Sequence, residues 1–305
     1  MNLPTEIEKQ VLIPQSMQGK VVLITGATSG IGEVTAMALA EKGATVVIVG
    51  RSLERANAVV EKIRQSTSNQ KVEYLLADLS SLDQVRNVAR AFNQQYESLD
   101  VLINNAGAVF FENKFNPDHY EMTFTLNYLS YFLLTQLLLE KIRTTAQQKG
   151  EARIINVSSE VHRGSKIYFD DLMFEHRSYG LGGLRAYSQS KLADILFSFE
   201  LARRIANTEI TSNALHPGLV SSNIGKNNGI LGRLSMGLVN RFAISALEGA
   251  QTPVYLASWP SVKGVTGKYF VKCQPIQADK AAYDLDCARQ LWEISEDLVS
   301  MYYSP

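Results

Sequence analysis

The chain has 305 residues, of which 46% are hydrophobic and 20% charged, enough apolar material for a substantial core and too much for a disordered or fibrous chain. Its 30 basic residues balance 30 acidic ones, so no electrostatic footprint points to nucleic acid or to an anionic membrane surface. Two cysteines, Cys273 and Cys287, are too few and too far apart for a disulfide framework or a zinc site, and read as ordinary thiols of a reducing compartment.

The first residues mix Glu6, Glu8 and Lys9 with isolated apolar side chains, which makes neither a signal-peptide core nor an anchor; residues 1–18 read as an extension. Short β-branched runs then follow at 20–25, 45–49, 72–76, 101–104, 153–157 and 210–215, each separated from the next by a helical pattern, and a late strand at 268–271. This alternation predicts βαβ units: a single-domain, Rossmann-type doubly wound parallel sheet with helices on both faces, spanning residues 19–305. The most apolar stretch, 128–139, falls well short of the roughly 20 residues that cross a bilayer and reads as a helix buried on most sides. No integral membrane segment and a cytoplasmic location are therefore expected.

After the first predicted strand comes Thr25-Gly26-Ala27-Thr28-Ser29-Gly30-Ile31-Gly32, opening a helix that begins near Glu33. Gly26 suits a tight turn, Gly30 a close approach of backbone to a pyrophosphate, and Gly32 close packing of helix on strand, while the helix N-terminus favours negative charge. The spacing is GxxxGxG, not GxGxxG. The second strand ends at Gly50-Arg51, where an acidic residue would select an unphosphorylated ribose. Arg51 instead offers a forked guanidinium for a 2′-phosphate, with Arg55 one turn on, so the cofactor expected is NADP(H). Arg51 as a simple loop residue is the alternative.

Tyr187 and Lys191 lie four apart on a predicted helix running to about Ile205 and so share one face. A phenol with a reference pKa of about 10 is a poor base near neutrality, and a neighbouring ammonium favours its phenolate. The pair follows a predicted strand ending at Val157-Ser158-Ser159.

With Asp78-Leu79, Asn104-Asn105-Ala106-Gly107, Asn127 and His216-Pro217-Gly218 in the same order, the chain resembles the short-chain dehydrogenase/reductase superfamily from about Gly19 to Val271. Asn127-Tyr128-Leu129, Glu248-Gly249-Ala250-Gln251-Thr252, Gly267-Lys268-Tyr269-Phe270 and Leu291-Trp292 resemble its retinol dehydrogenase-like subgroup. The resemblance implies a catalytic set of Asn127, Ser159, Tyr187 and Lys191. Ser159 would bond the substrate oxygen, Tyr187 exchange the proton, Lys191 hold the nicotinamide ribose and promote the phenolate, and Asn127 position a water. It further implies cofactor contacts from Gly26, Thr28, Ser29, Gly30, Ile31, Gly32, Arg51, Asp78, Leu79, Asn105, Ala106, Gly107, Tyr187, Lys191, Pro217, Gly218, Val220 and Ser222, with Asp78 near the adenine and Asn105 near its ribose. Duller roles stay open: a strand end for the serines, a backbone bond for Asn127, a cap on the helix through Val85 to Phe92 for Asp78.

His216 is a candidate acid/base because histidine titrates near neutrality, but a turn residue is the preferred reading. His119, His162 and His176 lack metal spacing and are assigned to the surface or a lid, so no metal site is expected. Segments 160–186 and 221–247 are candidate substrate walls, the second rich in Ile and Leu, which suits a lipophilic aldehyde, ketone or alcohol; a solvent-exposed excursion for the first and core packing for the second are the alternatives. A nucleotide-sensing protein with little turnover and a structural partner are the rival functions; the intact Ser159, Tyr187 and Lys191 favour the enzyme. The apolar helices carrying Tyr128 and Tyr187 could pair across a twofold axis in a homo-oligomer.

Overall fold

Each β-branched run becomes a strand: β1 (Val21–Thr25), β2 (Thr45–Gly50), β3 (Val72–Leu76), β4 (Val101–Asn104), β5 (Ala152–Val157), β6 (Ile210–His216) and β7 (Tyr269–Val271), with β8 (Gln274–Ile276) beyond them. The computed structural model describes residues 16–180, 183–218 and 244–303. The strands form one sheet in the order β3-β2-β1-β4-β5-β6-β7-β8, parallel from β3 to β7, with β8 antiparallel at the edge. This is the doubly wound order, and the strand sequence reverses between β1 and β4, where such sheets open a crevice at their carboxyl ends.

Alternation along the strands explains the two layers of helix. Val22 and Ile24 of β1 enter one core, packed by α1 (Gly30–Glu41), α2 (Leu53–Thr67) and α6 (Ala246–Ser258). Leu23 enters the other, packed by α3 (Leu82–Gln95), α4 (Ser130–Lys149), α5 (Leu184–Arg204) and α7 (Leu285–Val299). Both faces of the central strands are thus dry, which is why β1, β2, β4 and β5 read as continuous apolar runs.

Several expectations change. Helix α1 starts at Gly30, not near Glu33, so Gly30 and Gly32 of the motif occupy its first turn. The cap of α3 is Ser81; Asp78 instead accepts from the Ser80 amide at 3.0 Å and the Ser80 hydroxyl at 2.7 Å. Strand β8 was invisible because its hairpin turn places Lys272 and Cys273 at φ 48° and 61° without the glycine or asparagine that signals such a turn. Pro275 is compatible with it because β8 is an edge strand.

The apolar stretch at 128–139 lies in a longer helical run, Met122–Lys149, the one helix among the described residues long and apolar enough to span a bilayer by length and composition. It serves as a core helix, with 78% of its apolar window buried inside the fold. Helix α7 covers it: Trp292 meets the Phe132 ring edge-on at 4.9 Å and stacks on Phe197 of α5 at 5.8 Å. The Tyr128 hydroxyl bonds Ser295 of α7 at 2.7 Å. These apolar residues of α4 and α5, which suggested pairing between subunits, are therefore covered within one chain.

Candidate active site

The glycines after β1 are required for three different reasons. Gly26 has φ +66°, and a Cβ there would stand 2.6 Å from the Ala106 Cα. Gly32 faces Asn105, whose Nδ2 would lie 2.6 Å from an added Cβ. Gly30, at φ +60°, has nothing within 4 Å of that position, so its backbone borders open space at the head of α1. Ser29 caps that helix by backbone alone, its side chain making no cap bond, and the first-turn N–H groups carry the helix's positive end. An open glycine beside an uncapped helix start is a cradle that fits a dinucleotide pyrophosphate.

Asn105 holds this loop from beneath. Its Nδ2 donates to the carbonyls of Thr25 at 2.8 Å and Gly26 at 3.3 Å, while the Thr25 hydroxyl accepts from the Asn105 and Ala106 amides at 2.8 and 3.0 Å. The carboxamide nitrogen expected near the adenine ribose is thus committed to protein, as is Asn104, which bonds Thr135 and Asn156 in the interior. Leu79 is a core residue, and Gly107 is exposed. At the end of β2 a Cβ on Gly50 would come within 2.4 Å of Thr28 Cγ2, so Gly50 packs closely against the loop after β1. Arg51 follows on the surface, ahead of Ser52, the cap of α2.

Across the crevice, a π-helical turn, Thr125–Leu129, carries Asn127 to the start of α4. Its carboxamide is bound at both ends: Oδ1 accepts from the Ala108 amide at 2.9 Å, and Nδ2 donates to the Ala108 carbonyl and the Ser190 hydroxyl, both at 3.0 Å. The Asn127 side chain therefore braces the Gly107-Ala108 turn against α5. Insertions of this kind recur at functional sites.

The two serines after β5 divide. Ser158 is buried and donates to the Lys191 carbonyl at 2.6 Å, tying the strand end to α5. Ser159 is partly exposed and stands close enough to the Tyr187 phenol to act on it. Burial pushes the Tyr187 phenol above its usual range; Lys191 and the Ser159 hydroxyl pull it down, and Asp194 pushes it up. The Lys191 ammonium donates to the Val157 carbonyl at 2.9 Å and lies 5.9 Å from the Tyr187 ring. An added Cβ on Gly107 would be 3.7 Å from Lys191 Nζ and 3.3 Å from Asn127 Oδ1, so Gly107, Asn127 and Lys191 converge from three separate elements.

Two site neighbours were missed. Asp194 is fully buried, with Oδ2 at 2.8 Å from Lys191 Nζ. A carboxylate three residues after a lysine, amid Leu192, Ile195 and Leu196, was the available signal. His162 is also buried, correcting its surface assignment: Nδ1 donates to the Ser159 carbonyl at 2.7 Å, and Nε2 accepts from the Asp279 amide at 3.0 Å. Two partners of opposite polarity fix it as a neutral tautomer, and burial lowers its pKa below the usual 6.5. His216 accepts from the Glu160 amide at 3.2 Å, a turn role, and His119 and His176 are exposed. No metal-holding cluster occurs among the described residues.

The long interval before Tyr187 is packed. The Tyr168 amide donates to the Gln189 side chain at 2.9 Å, Gln189 donates to the Leu172 carbonyl at 3.0 Å, and Phe174 is buried. Tyr179 donates to Glu121 at 2.7 Å, the buried carboxylate that also caps the helical turn leading to Asn127. Pro217 and Gly218 lie at the carboxyl end of β6, whereas Val220, Ser222 and most of the second candidate wall fall outside the described residues.

Comparison with known proteins agrees with this geometry. Residues 20–168 match the family model for short chain dehydrogenase. Retinol dehydrogenase 14 of Mus musculus is 42% identical over 302 residues, covering 94% of this chain and 88% of that protein. The crystal structure of an uncharacterized protein from Mycobacterium Paratuberculosis superposes with TM-score 0.76 at 31% identity, over 95% of this chain and 97% of that one. The Pseudomonas aeruginosa RhlG/NADP active-site complex gives TM-score 0.66 at 26% identity, over 84% and 96%. The fold and site define a nicotinamide-dependent oxidoreductase, and the chain belongs to the short-chain dehydrogenase/reductase family, in its retinol dehydrogenase-like subgroup.

Proposed function

We propose that this protein interconverts a carbonyl and an alcohol using NADP(H), on a lipophilic aldehyde or ketone, as a single catalytic domain in the cytoplasm. The observation that carries this reading is the gathering of Ser159, Tyr187 and Lys191 at the carboxyl edge of the sheet, with Lys191 Nζ 5.9 Å from the Tyr187 ring and both neighbours lowering the phenol's pKa. Hydride addition to a carbonyl develops negative charge on oxygen, and a hydroxyl pair fixed beside a cation meets that charge with little reorganisation. The bound nicotinamide supplies or accepts the hydride. Ser159 donates to the substrate oxygen, and Tyr187 gives its Oη proton to the developing alkoxide in reduction or removes the hydroxyl proton in oxidation. Lys191 holds the ribose side of the cofactor and keeps the phenolate accessible, while Asn127 holds the turn that carries Gly107. The glycine cradle would hold the pyrophosphate, and Pro217 and Gly218 at the end of β6 would serve the nicotinamide.

The absence of an acid at Gly50, with Arg51 next to it, supports the phosphorylated cofactor. The retinol dehydrogenase name of the mouse relative and the apolar character of segment 221–247 support a lipophilic substrate. The test is to follow NADPH and NADH absorbance with purified protein on a matched panel of straight-chain aldehydes, ketones, retinal and small keto acids. Faster turnover with NADPH and with the apolar carbonyls is expected. Arg51→Ala should raise the NADPH Kd about tenfold or more while leaving NADH nearly unchanged, since a charge-assisted bond contributes about 1.5–3 kcal/mol. A preference for NADH, or for a keto acid, overturns the reading.

A further inference from the structure

The Lys191–Asp194 pair is more enclosed than holding a ribose requires. Lys191 is 4% and Asp194 0% exposed at the side chain, and Asp194 Oδ1 is buried with no hydrogen-bond partner among the described residues. A buried carboxylate with half its lone pairs unsatisfied carries a large desolvation cost, which its one ammonium offsets only in part. That ammonium is also the charge on which the Tyr187 phenolate depends.

We propose that Asp194 is a positioning residue that competes with Tyr187 for the charge of Lys191 and thereby sets the pH at which Tyr187 gives up its proton. The assignment deepens the oxidoreductase reading and rests on it only for the role of Tyr187. Lys191 Nζ touches Asp194 Oδ2 at 2.8 Å and the Val157 carbonyl at 2.9 Å, so in this arrangement its charge is already half committed before the phenol ionises. Asp194 and Tyr187 stand on the same helix, on either side of the lysine in sequence, and Asp194 acts electrostatically on Tyr187. The titratable groups that feel Asp194 from the π-helical turn and from α4 are Tyr128 and Tyr131, buried phenols held neutral. From the end of β5 the contacts are the uncharged Val157 carbonyl and, on Tyr187, the Ser159 hydroxyl. Lys191 is the one charge acting on Asp194 among the described residues. Burial pushes the Asp194 carboxyl up to about 7, within reach of physiological pH. Gain of a proton by Asp194 frees the lysine charge for the phenolate, and loss of that proton opposes it.

The test reads the Tyr187 ionisation directly. Ultraviolet tyrosinate absorbance of the full chain is titrated with pH, and subtraction of Tyr187→Phe isolates the Tyr187 step. The same subtraction is made for Asp194→Asn against the double variant Asp194→Asn, Tyr187→Phe. Removing a nearby like charge should lower the Tyr187 midpoint by about one unit. The pH limb of kcat/KM for oxidation of an apolar alcohol with NADP⁺ should move down by the same amount. Asp194→Ser, smaller and also neutral, repeats the measurement should Asp194→Asn not fold, with the same drop expected. A midpoint that stays or rises in the folded neutral variant overturns the assignment, since a merely structural aspartate would change stability and leave the ionisation in place. A midpoint that falls in a protein with no turnover on any carbonyl or alcohol upholds the coupling and overturns the oxidoreductase reading instead.

Discussion

Asp100 and Asp194 are both buried aspartates paired with lysine, one at the amino edge of the sheet and one beside its carboxyl edge. Asp100 precedes β4, accepts from the Val21 amide at 2.9 Å, and meets Lys20 at 3.0 Å and Lys149 at 2.7 Å. Both of those lysines keep about a third of their side chains in water, at 31% and 30% exposure, so the cluster is screened and relaxed. Asp194 has one lysine, itself enclosed, and an oxygen with no partner. The same ion pair thus serves to pin strands where each carboxylate oxygen meets its own lysine, and to bias a proton where one oxygen meets none. In doubly wound sheets chemistry collects at the carboxyl ends, where strands hand over to loops and helix N-termini point inward.

The contrast is tested most severely by Tyr187→Phe, which removes one hydroxyl from the carboxyl edge while the ring still packs. Turnover on a confirmed substrate should fall about 10²–10⁴-fold, with NADPH binding close to wild type. Retention of near wild-type turnover would remove Tyr187 from the proton step. Next, Asp100→Ala should act on the opposite quantity. Loss of its bond to the Val21 amide and of two lysine contacts should cost about 1–3 kcal/mol of stability in urea denaturation. The cofactor Kd should be unchanged, and any marked weakening of NADPH binding would show that the two edges are not independent.

The smallest expected effect concerns His162, which braces the backbone of Ser159 from the carboxyl edge. Its folded pKa is lowered from 6.5, so between the folded value and 6.5 the unfolded chain binds the extra proton, and stability contributed by His162 falls as pH drops through that window. Asp194, raised from 3.8 to about 7, runs the other way: the folded chain binds the extra proton between those values, and stability falls as pH rises. The difference between wild type and His162→Gln isolates the histidine. Glutamine can donate to the Ser159 carbonyl and accept from the Asp279 amide, as the neutral ring does. Denaturation midpoints of the two should diverge by an amount equivalent to about 1 kcal/mol or less as pH falls from 7.5 to 5.5; parallel curves would place the acid sensitivity elsewhere, with His216 the next group to replace.

Much of this site was legible in the chain. The glycine turn, the Tyr187 and Lys191 spacing and the paired serines are local signals, because turns, helix faces and strand ends are set by neighbours in sequence. The parallel sheet was legible for the same reason: β-branched runs between helical patterns admit few other packings. Packing decided the rest. Whether Ser158 or Ser159 faces the phenol depends on how β5 meets α5, and that contact joins residues 33 apart. The resemblance assigns Asn105 to the cofactor and Asn127 to the proton relay, and the folded chain commits their carboxamides to protein partners. His162 became a buried brace only because Asp279, 117 residues away, supplies an amide to its far nitrogen. The spacing of Lys191 and Asp194 is written in the sequence, but a pair three residues apart on a helix is an ordinary surface salt bridge in water. Its burial depends on the strands and helices that enclose α5, and burial is what makes a single missing partner matter.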